Sequence, residues 1–341
     1  MRTIDWDNKK NSIIMIDQTL LPGEYRVIEC STIESLCEAI KSLRVRGAPA
    51  LGAAGGFGIA LAAFKSSASS LEGLMKDIES AGKTIIATRP TAVNLSWGVN
   101  RVIRSVEDAR NIKEARMFAL DESKAIADED VKKNKQLGEY GASLLDDGDT
   151  VMTHCNAGKL ACVDWGTALG VIRSARAEGK DIRVISCETR PLNQGSRITT
   201  WELMEDKIPV TLITDSMSGH VMRKGMVDKV IVGADRITQD AVFNKIGTYT
   251  HSVIAKEHEI PFYVAAPVST FDFEHLEEEI EIELRKPDEL KYFGNHQIAP
   301  LSVEVYNPAF DATPMENVSA IITENGVFYP PFLLEEVKIR V

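Results

Sequence analysis

The stretch TVMTHCNAG, Thr150–Gly158, carries the reading that decides the fold. It opens with β-branched and apolar residues over the length of one strand and ends in a short polar tail closed by a glycine. The same pattern recurs downstream. Apolar runs fall at Thr150–His154, Arg183–Cys187, Val210–Thr214, Lys229–Val232, Phe262–Ala265 and Ser319–Thr323. The first five lie about 20 to 35 residues apart, with helix-length amphipathic segments between them, which reads as βα units building a parallel sheet. The expected fold class is therefore α/β, with a Rossmann-like C-terminal domain. Each run is followed by a polar or Gly-rich piece: HCNAG, CETRP, TDSMSG, GADR, APVST and TENG. In an open α/β sheet ligands bind outside the carboxyl ends of the strands, so these tails are expected to converge on one crevice. No G-x-G-x-x-G follows any of the strands and no G-x-x-x-x-G-K-[ST] occurs, so neither a dinucleotide nor a P-loop nucleotide is supported.

Upstream the pattern differs. Ser12–Asp17 and Tyr25–Glu29 read as short strands, and helical stretches follow. RGAPALGAAGGFGIALAA, Arg46–Ala63, is so rich in Gly and Ala that it reads as a closely packed helix, or a loop leading into one, that another backbone can approach. Thr88-Arg89-Pro90-Thr91 interrupts the helical pattern, because the residue before Pro is pushed away from the α region. Glu114–Leu145 is charged and helical and stops at the Asp146-Asp147-Gly148-Asp149 turn. The expected division is a mainly helical N-terminal domain with a small sheet over 1–130 and a Rossmann-like catalytic domain over 131–341. The acidic stretch Glu274–Glu283 reads as a solvated face or loop.

The 341 residues include 39 Lys plus Arg against 50 Asp plus Glu, a net charge of −11, with 44% apolar and 26% charged residues. That is an ordinary globular composition of a length suited to two self-sufficient domains. Its acidity argues against nucleic-acid or anionic-membrane binding, which need a basic face. An anionic small molecule remains compatible if a few Arg and Lys converge. Cys30, Cys37, Cys155, Cys162 and Cys187 form an odd set without a CxxC pair, which reads as reduced thiols in the cytoplasm. No stretch reaches ~18 uninterrupted apolar residues and the N-terminus lacks the pattern of a signal peptide, so no membrane span or leader is expected.

Among residues able to carry chemistry, Cys155 sits at the end of the first strand, before a helix expected to open near Lys159. A helix N-terminus lowers a thiol's pKa. The competing reading is a small buried hydrophobe. His154 is no base for it, since neighbours on a strand point to opposite faces. Asp235, in GADR, reads as a general acid or base whose pKa is raised in a partly apolar cleft, or else as a helix N-cap or an ion-pair partner of Arg236. Arg46, Arg89 and Lys245 are candidate anion ligands, and Arg46-Gly47-Ala48 precedes a small-residue helix whose backbone N–H groups suit a phosphate. Gln194-Gly195 reads as an amide for sugar hydroxyls or as a plain turn. The histidines show no H-x-x-x-H or H-E-x-x-H spacing; His251 and His258 read as structural, and no metal is expected.

Taken together, RGAPA, TRPTAVNLSWGVNR, THCNAG, GTALGVIRSA, ETRPLNQGSR, GADRI, NKIGTY, IPFYVAAPVSTFD, NPAFDATP and AIITENGV resemble the S-methyl-5-thioribose-1-phosphate isomerase family of methionine salvage. That family is related to the α, β and δ subunits of the translation factor eIF2B and to ribose-1,5-bisphosphate isomerases. The resemblance covers nearly the whole chain. It implies a cofactor-free aldose-ketose isomerase, an intramolecular oxidoreductase, acting on a phosphorylated pentose as a cytoplasmic homodimer. Position by position, Asp235 matches the family's proton donor and Cys155 its catalytic cysteine. Arg46, Gly47, Ala48, Arg89, Gln194, Asn244 and Lys245 match its substrate-binding positions. Three departures bear on the 5-substituent of the sugar. The segment between GADRI and NKIGTY is shortened to Thr238–Phe243, the usual Thr after HCNAG is Cys162, and an acidic run follows STFD. The alternatives are an isomerase of 5-deoxyribose 1-phosphate or ribose 1,5-bisphosphate, a non-catalytic eIF2B-like regulatory subunit, and a redox-sensing thiol protein.

Overall fold

The first thirty positions form three short antiparallel strands, β1 (Ile4–Asp7), β2 (Ser12–Ile16) and β3 (Val27–Cys30), in that order in the sheet. Five helices follow: α1 (Ile33–Lys41), α2 (Ala48–Lys65), α3 (Leu71–Ile86), α4 (Val93–Ser105) and α5 (Ile112–Ala142). Side chains start two of them, Thr32 accepting from the Ser35 N–H and Ser70 from the Gly73 N–H. The computed structural model describes residues 1–333 and 336–337. Residues 334–335 and 338–341, the end of the expected second domain, lie outside the described residues. The chain forms two compact units, Met1–Lys135 with Gly158–Gly166, and Gln136–Ala157 with Thr167–Val341.

In the first unit α2 is buried along nearly its whole length, from Ala50 to Ala63. It is apolar and long enough to cross a bilayer by composition, yet it is the core of this unit, 78% of it buried. Its small residues admit a second backbone: a Cβ on Gly55 would stand 2.6 Å from the Leu95 carbonyl oxygen, and one on Gly98 of α4 only 2.0 Å from that of Gly52. From Ala48 onward the Arg46–Ala63 stretch is thus a packed helix, as its composition suggests.

Asp130 in α5 accepts the Val163 N–H at 2.7 Å. It is half-buried, and the protein packed around it pushes its carboxyl from 3.8 up to about 7 against the pull of that hydrogen bond. A carboxyl that holds its proton more tightly when folded favours the fold fully below about pH 4, its unfolded value, and loses that contribution as pH rises toward about 7. Asp130→Asn keeps an acceptor for Val163 and removes the titration. Its stability, followed by melting temperature, is therefore expected to gain on the wild type between about pH 4 and about pH 7, by at most about 1.4 kcal/mol per pH unit crossed. A gap that stays constant across that range refutes the assignment.

The second unit is built on β4 (Thr150–Thr153), β5 (Arg183–Cys187), β6 (Val210–Ile213), β7 (Lys229–Val232), a hairpin of β8 (Arg236–Ile237) and β9 (Ala241–Lys245), and β10 (Phe262–Ala265). Helices α6 (Ala168–Ala177), α7 (Thr200–Glu205), α8 (Ser218–Arg223) and α9 (Thr248–Glu257) lie between them. After β10 come α10 (Asp288–Lys291), the small hairpin β11 (Tyr292–Phe293) and β12 (His296–Gln297), then β13 (Phe310–Pro314), β14 (Ala320–Thr323) and β15 (Gly326–Phe328). The main sheet runs β15-β14-β10-β7-β4-β5-β6, all parallel except β15. Its central strands are buried on both faces apart from Lys229 at the start of β7, which is why they read as continuous apolar runs. All six expected strands are present, three with the expected bounds and three one residue shorter.

Candidate active site

From β4 the chain winds outward through β5 to β6, then returns to the other side of β4 to lay down β7, β10 and β14. The winding therefore reverses between β4 and β7, the place where doubly wound sheets open a crevice at their carboxyl ends. Cys155 follows β4 and Asp235 follows β7, so the two candidates stand at the ends of the two strands that flank the reversal.

Cys155 is held in the left-handed region, φ 63°, a conformation costly for a residue with a Cβ. Two hydroxyls hold it there. The Cys155 N–H donates to Thr189 Oγ1 at 2.8 Å, and its carbonyl accepts from Thr199 Oγ1 at 2.6 Å. Behind them Asn156 Nδ2 donates to Thr199 Oγ1 and to Glu202 Oε1, and Glu202 in turn binds Arg173 at 2.8 Å. Arg173 also pairs with Asp206. Asn156, Thr199, Glu202 and Arg173 are all buried. A buried network with partners throughout is rigid, so the cysteine's backbone is set before any ligand arrives.

The helix expected near Lys159 is not there. Lys159–Ala161 is a single 3-10 turn, and the first α-helix after Cys155 begins at Ala168. Gly158 and Gly166 pair as an antiparallel bridge within the first unit, and a Cβ on Gly166 would meet the Gly158 carbonyl carbon at 2.4 Å. In the second unit the Thr167 and Leu169 N–H groups both donate to the Ala157 carbonyl. The ten or so residues after Ala157 are spent on this excursion, so backbone strain and two hydroxyl clamps, with no helix dipole, distinguish Cys155.

Asp235 also departs from its expected setting, since it is exposed and not sunk in a partly apolar cleft. It stands at the mouth of the β8–β9 hairpin, its N–H donating to the Phe243 carbonyl at 2.9 Å. The helix-cap alternative falls away, because β8 and not a helix follows it, and Arg236 pairs with Asp272 at 3.0 Å.

Gln194 lies beyond β5, buried, and among the described residues its Oε1 has no hydrogen-bond partner. Such an acceptor is costly unless a ligand donor meets it. Asn244 and Lys245 close β9. Asn244 Nδ2 donates to Thr248 Oγ1, while Lys245 Nζ donates to the Ala309 carbonyl at 2.8 Å and lies over the Phe310 ring. Asp311 pairs with Asn244 across β13 and β9 and accepts the Gly247 and Tyr249 N–H groups at the start of α9, which ties NKIGTY to NPAFDATP. In the first unit Arg46, Gly47 and Ala48 form the N-terminus of α2. Gly47 is its cap at φ 91°, with no room for a Cβ against Ala161, and Arg46 Nε donates to Gln18 Oε1 at 3.2 Å. Arg89 sits in the loop between α3 and α4.

Thr189, Thr199, Glu202 and Arg173 were not legible as site residues. Their hydroxyls, carboxylate and guanidinium acquire a role only through side chains tens of positions away. Nor did the histidine spacing reveal that His154 meets His251, Cys187 and Asp215.

Residues 44–330 match the Initiation factor 2 subunit family. A Methanosarcina acetivorans protein, provisionally named a methylthioribose-1-phosphate isomerase, is 68% identical over 99% of this chain and 97% of its own. The methylthioribose-1-phosphate isomerase of Heliobacterium modesticaldum is 51% identical over 98% of this chain and 97% of its own. Among solved structures, the 5-methylthioribose 1-phosphate isomerase of Pyrococcus horikoshii superposes with a TM-score of 0.93 at 45% identity, covering 99% of this chain and 95% of that one. A chain from A. fulgidus described as the delta subunit of translation initiation factor eIF-2B gives 0.91 at 58% identity, covering 100% and 99%.

Proposed function

The chain belongs to the Initiation factor 2 subunit family, and from that premise we propose that it isomerises S-methyl-5-thio-α-D-ribose 1-phosphate to S-methyl-5-thio-D-ribulose 1-phosphate in methionine salvage. Full-length relatives of that activity stand behind the reaction. The observation that carries it at the level of residues is the placement of a strained, clamped Cys155 and an exposed Asp235 at the ends of the two strands flanking the sheet's reversal.

The chemistry assigns the parts. A phosphate on the anomeric oxygen blocks spontaneous ring opening, so an acid must protonate the ring oxygen as its bond to C1 breaks. Asp235 is assigned that proton. Hydrogen then passes from C2 to C1 while the C2 hydroxyl becomes the carbonyl and its proton returns to the Asp235 carboxylate, and Cys155 is assigned the C2 side, as base or as stabiliser of an enediol-type intermediate. In the second unit Gln194 and Asn244 are assigned sugar hydroxyls and Lys245 an anionic oxygen. In the first unit Arg46, with the amides opening α2, and Arg89 are assigned the phosphate. We place the enzyme in the cytoplasm as a homodimer.

The test is phosphorus and carbon NMR of the purified protein with 5-methylthioribose 1-phosphate. Appearance of the 1-phosphoketose is expected. The translation-factor name of the A. fulgidus chain favours a second reading, a non-catalytic regulatory subunit. That reading replaces the first if 5-methylthioribose 1-phosphate, 5-deoxyribose 1-phosphate and ribose 1,5-bisphosphate all stay unconverted.

A further inference from the structure

Behind the Cys155 loop, side chains from three adjacent strand ends and one helix converge. His154 follows β4, Cys187 ends β5, Asp215 follows β6 and His251 lies in the first turn of α9. One nitrogen of each imidazole, the Cys187 sulfur and an Asp215 oxygen all lie within 4.8 Å of one another. His154 Nδ1 is 3.2 Å from His251 Nε2 and 3.7 Å from Asp215 Oδ1. We propose that these four residues form a binding site for a divalent cation of the zinc type.

Three observations support the site. The first is geometry: nitrogens about 2.0–2.1 Å from a tetrahedral zinc stand about 3.3–3.4 Å apart. The histidine pair is already at that spacing, and the widest pair in the cluster has to close by about 1 Å. The second is orientation. His154 Nε2 lies 2.8 Å from the Ile246 carbonyl, a contact that places the proton on Nε2 and turns the Nδ1 lone pair toward the cluster. A backbone carbonyl on the far nitrogen is the usual outer support of a metal-bound imidazole. Asp215 is likewise braced by the Thr189 and Arg190 N–H groups, at 2.8 and 2.7 Å.

The third is charge. His154, Cys187 and His251 are buried. Among the described residues no Lys or Arg pairs with Asp215. A divalent cation with one carboxylate and one thiolate leaves the cluster neutral overall. Binding is redox-neutral: Cys187 releases its thiol proton to solvent as the sulfur–metal bond forms. Asp215 keeps 26% of its side chain exposed and marks the side of entry. An ion held there ties the carboxyl ends of β4, β5 and β6 to α9, behind the backbone of Cys155. The role is structural, and it is read by binding alone, so its outcome is separate from that of the isomerase assay.

Chelator-stripped protein is titrated with Co(II) and followed by absorption. One equivalent per chain is expected to give the ligand-field bands of a tetrahedral site with a thiolate charge-transfer band, displaced by Zn(II). Cys187→Ser removes the charge-transfer band, whereas Cys155→Ser and Cys162→Ser keep it. His251→Ala weakens Co(II) binding by more than the about 10- to 100-fold that loss of an outer support costs. Zn(II) raises the melting temperature of the wild type but not of Cys187→Ser. Absence of saturable binding, or a thiolate band that survives Cys187→Ser, overturns the proposal. Should Cys187→Ser not fold, X-ray absorption on the Co(II)-loaded wild type decides, because the site requires one sulfur in the first shell and its absence overturns it.

Discussion

Asp235→Asn is expected to lower kcat for 5-methylthioribose 1-phosphate by about 10²- to 10⁴-fold, the span over which a positioned general acid acts. KM should change far less, because the amide keeps the shape and polarity of the carboxyl and loses only the transferable proton. The residue is exposed, and substitutions at exposed positions usually change stability by only about 0.5 kcal/mol, so the melting temperature is expected to change little. Equal melting temperatures with a collapsed kcat is the expected pair of results. Cys155→Ser is expected to show a loss of similar order, since a serine hydroxyl gives up its proton far less readily than a thiol and so is a far weaker source of a base. An Asp235→Asn enzyme within about tenfold of wild type would remove Asp235 from the proton step.

Gly98→Ala is expected to be the most damaging small substitution in the first unit. The added Cβ would stand 2.0 Å from the Gly52 carbonyl oxygen and 2.8 Å from its carbon. Both are backbone atoms of α2, which is itself buried on all sides, so neither partner has a side chain to swing away. The helices must separate, and the loss of packing along α2 and α4 is expected to cost about 3–5 kcal/mol, enough to lower the melting temperature by about 10 °C or more or to leave the protein insoluble. Gly219→Ala in α8 is the control: its Cβ meets Ile254 at 3.5 Å, an ordinary contact, and alanine suits a helix better than glycine. Equal stability of the two variants would mean that α2 and α4 do not approach as described.

Much of this was legible in the residues. Arg183–Cys187, Lys229–Val232 and Phe262–Ala265 are strands with the bounds their β-branched runs suggest, because strands buried on both faces leave no alternation to misread. Cys155 and Asp235 were singled out by their position after such strands, and sheet order then set them at one reversal. The surroundings of both were misjudged. No local signal told that Gly158–Gly166 would fold into the other unit and displace the helix start from Lys159 to Ala168. Nor did any tell that a hairpin would follow Asp235 and leave it exposed.

What the sequence by itself determined is the alternation of elements, the packed Gly/Ala helix and the placing of Cys155 and Asp235 directly after strands, since each depends on neighbours within a few residues. Only the tertiary structure decided how those groups are held. Thr189 and Thr199 clamp Cys155 from 34 and 44 positions away, and His154 reaches His251 across 97. Contacts of that kind leave no periodicity, because their partners are brought together by the order of strands in the sheet and not by spacing along the chain.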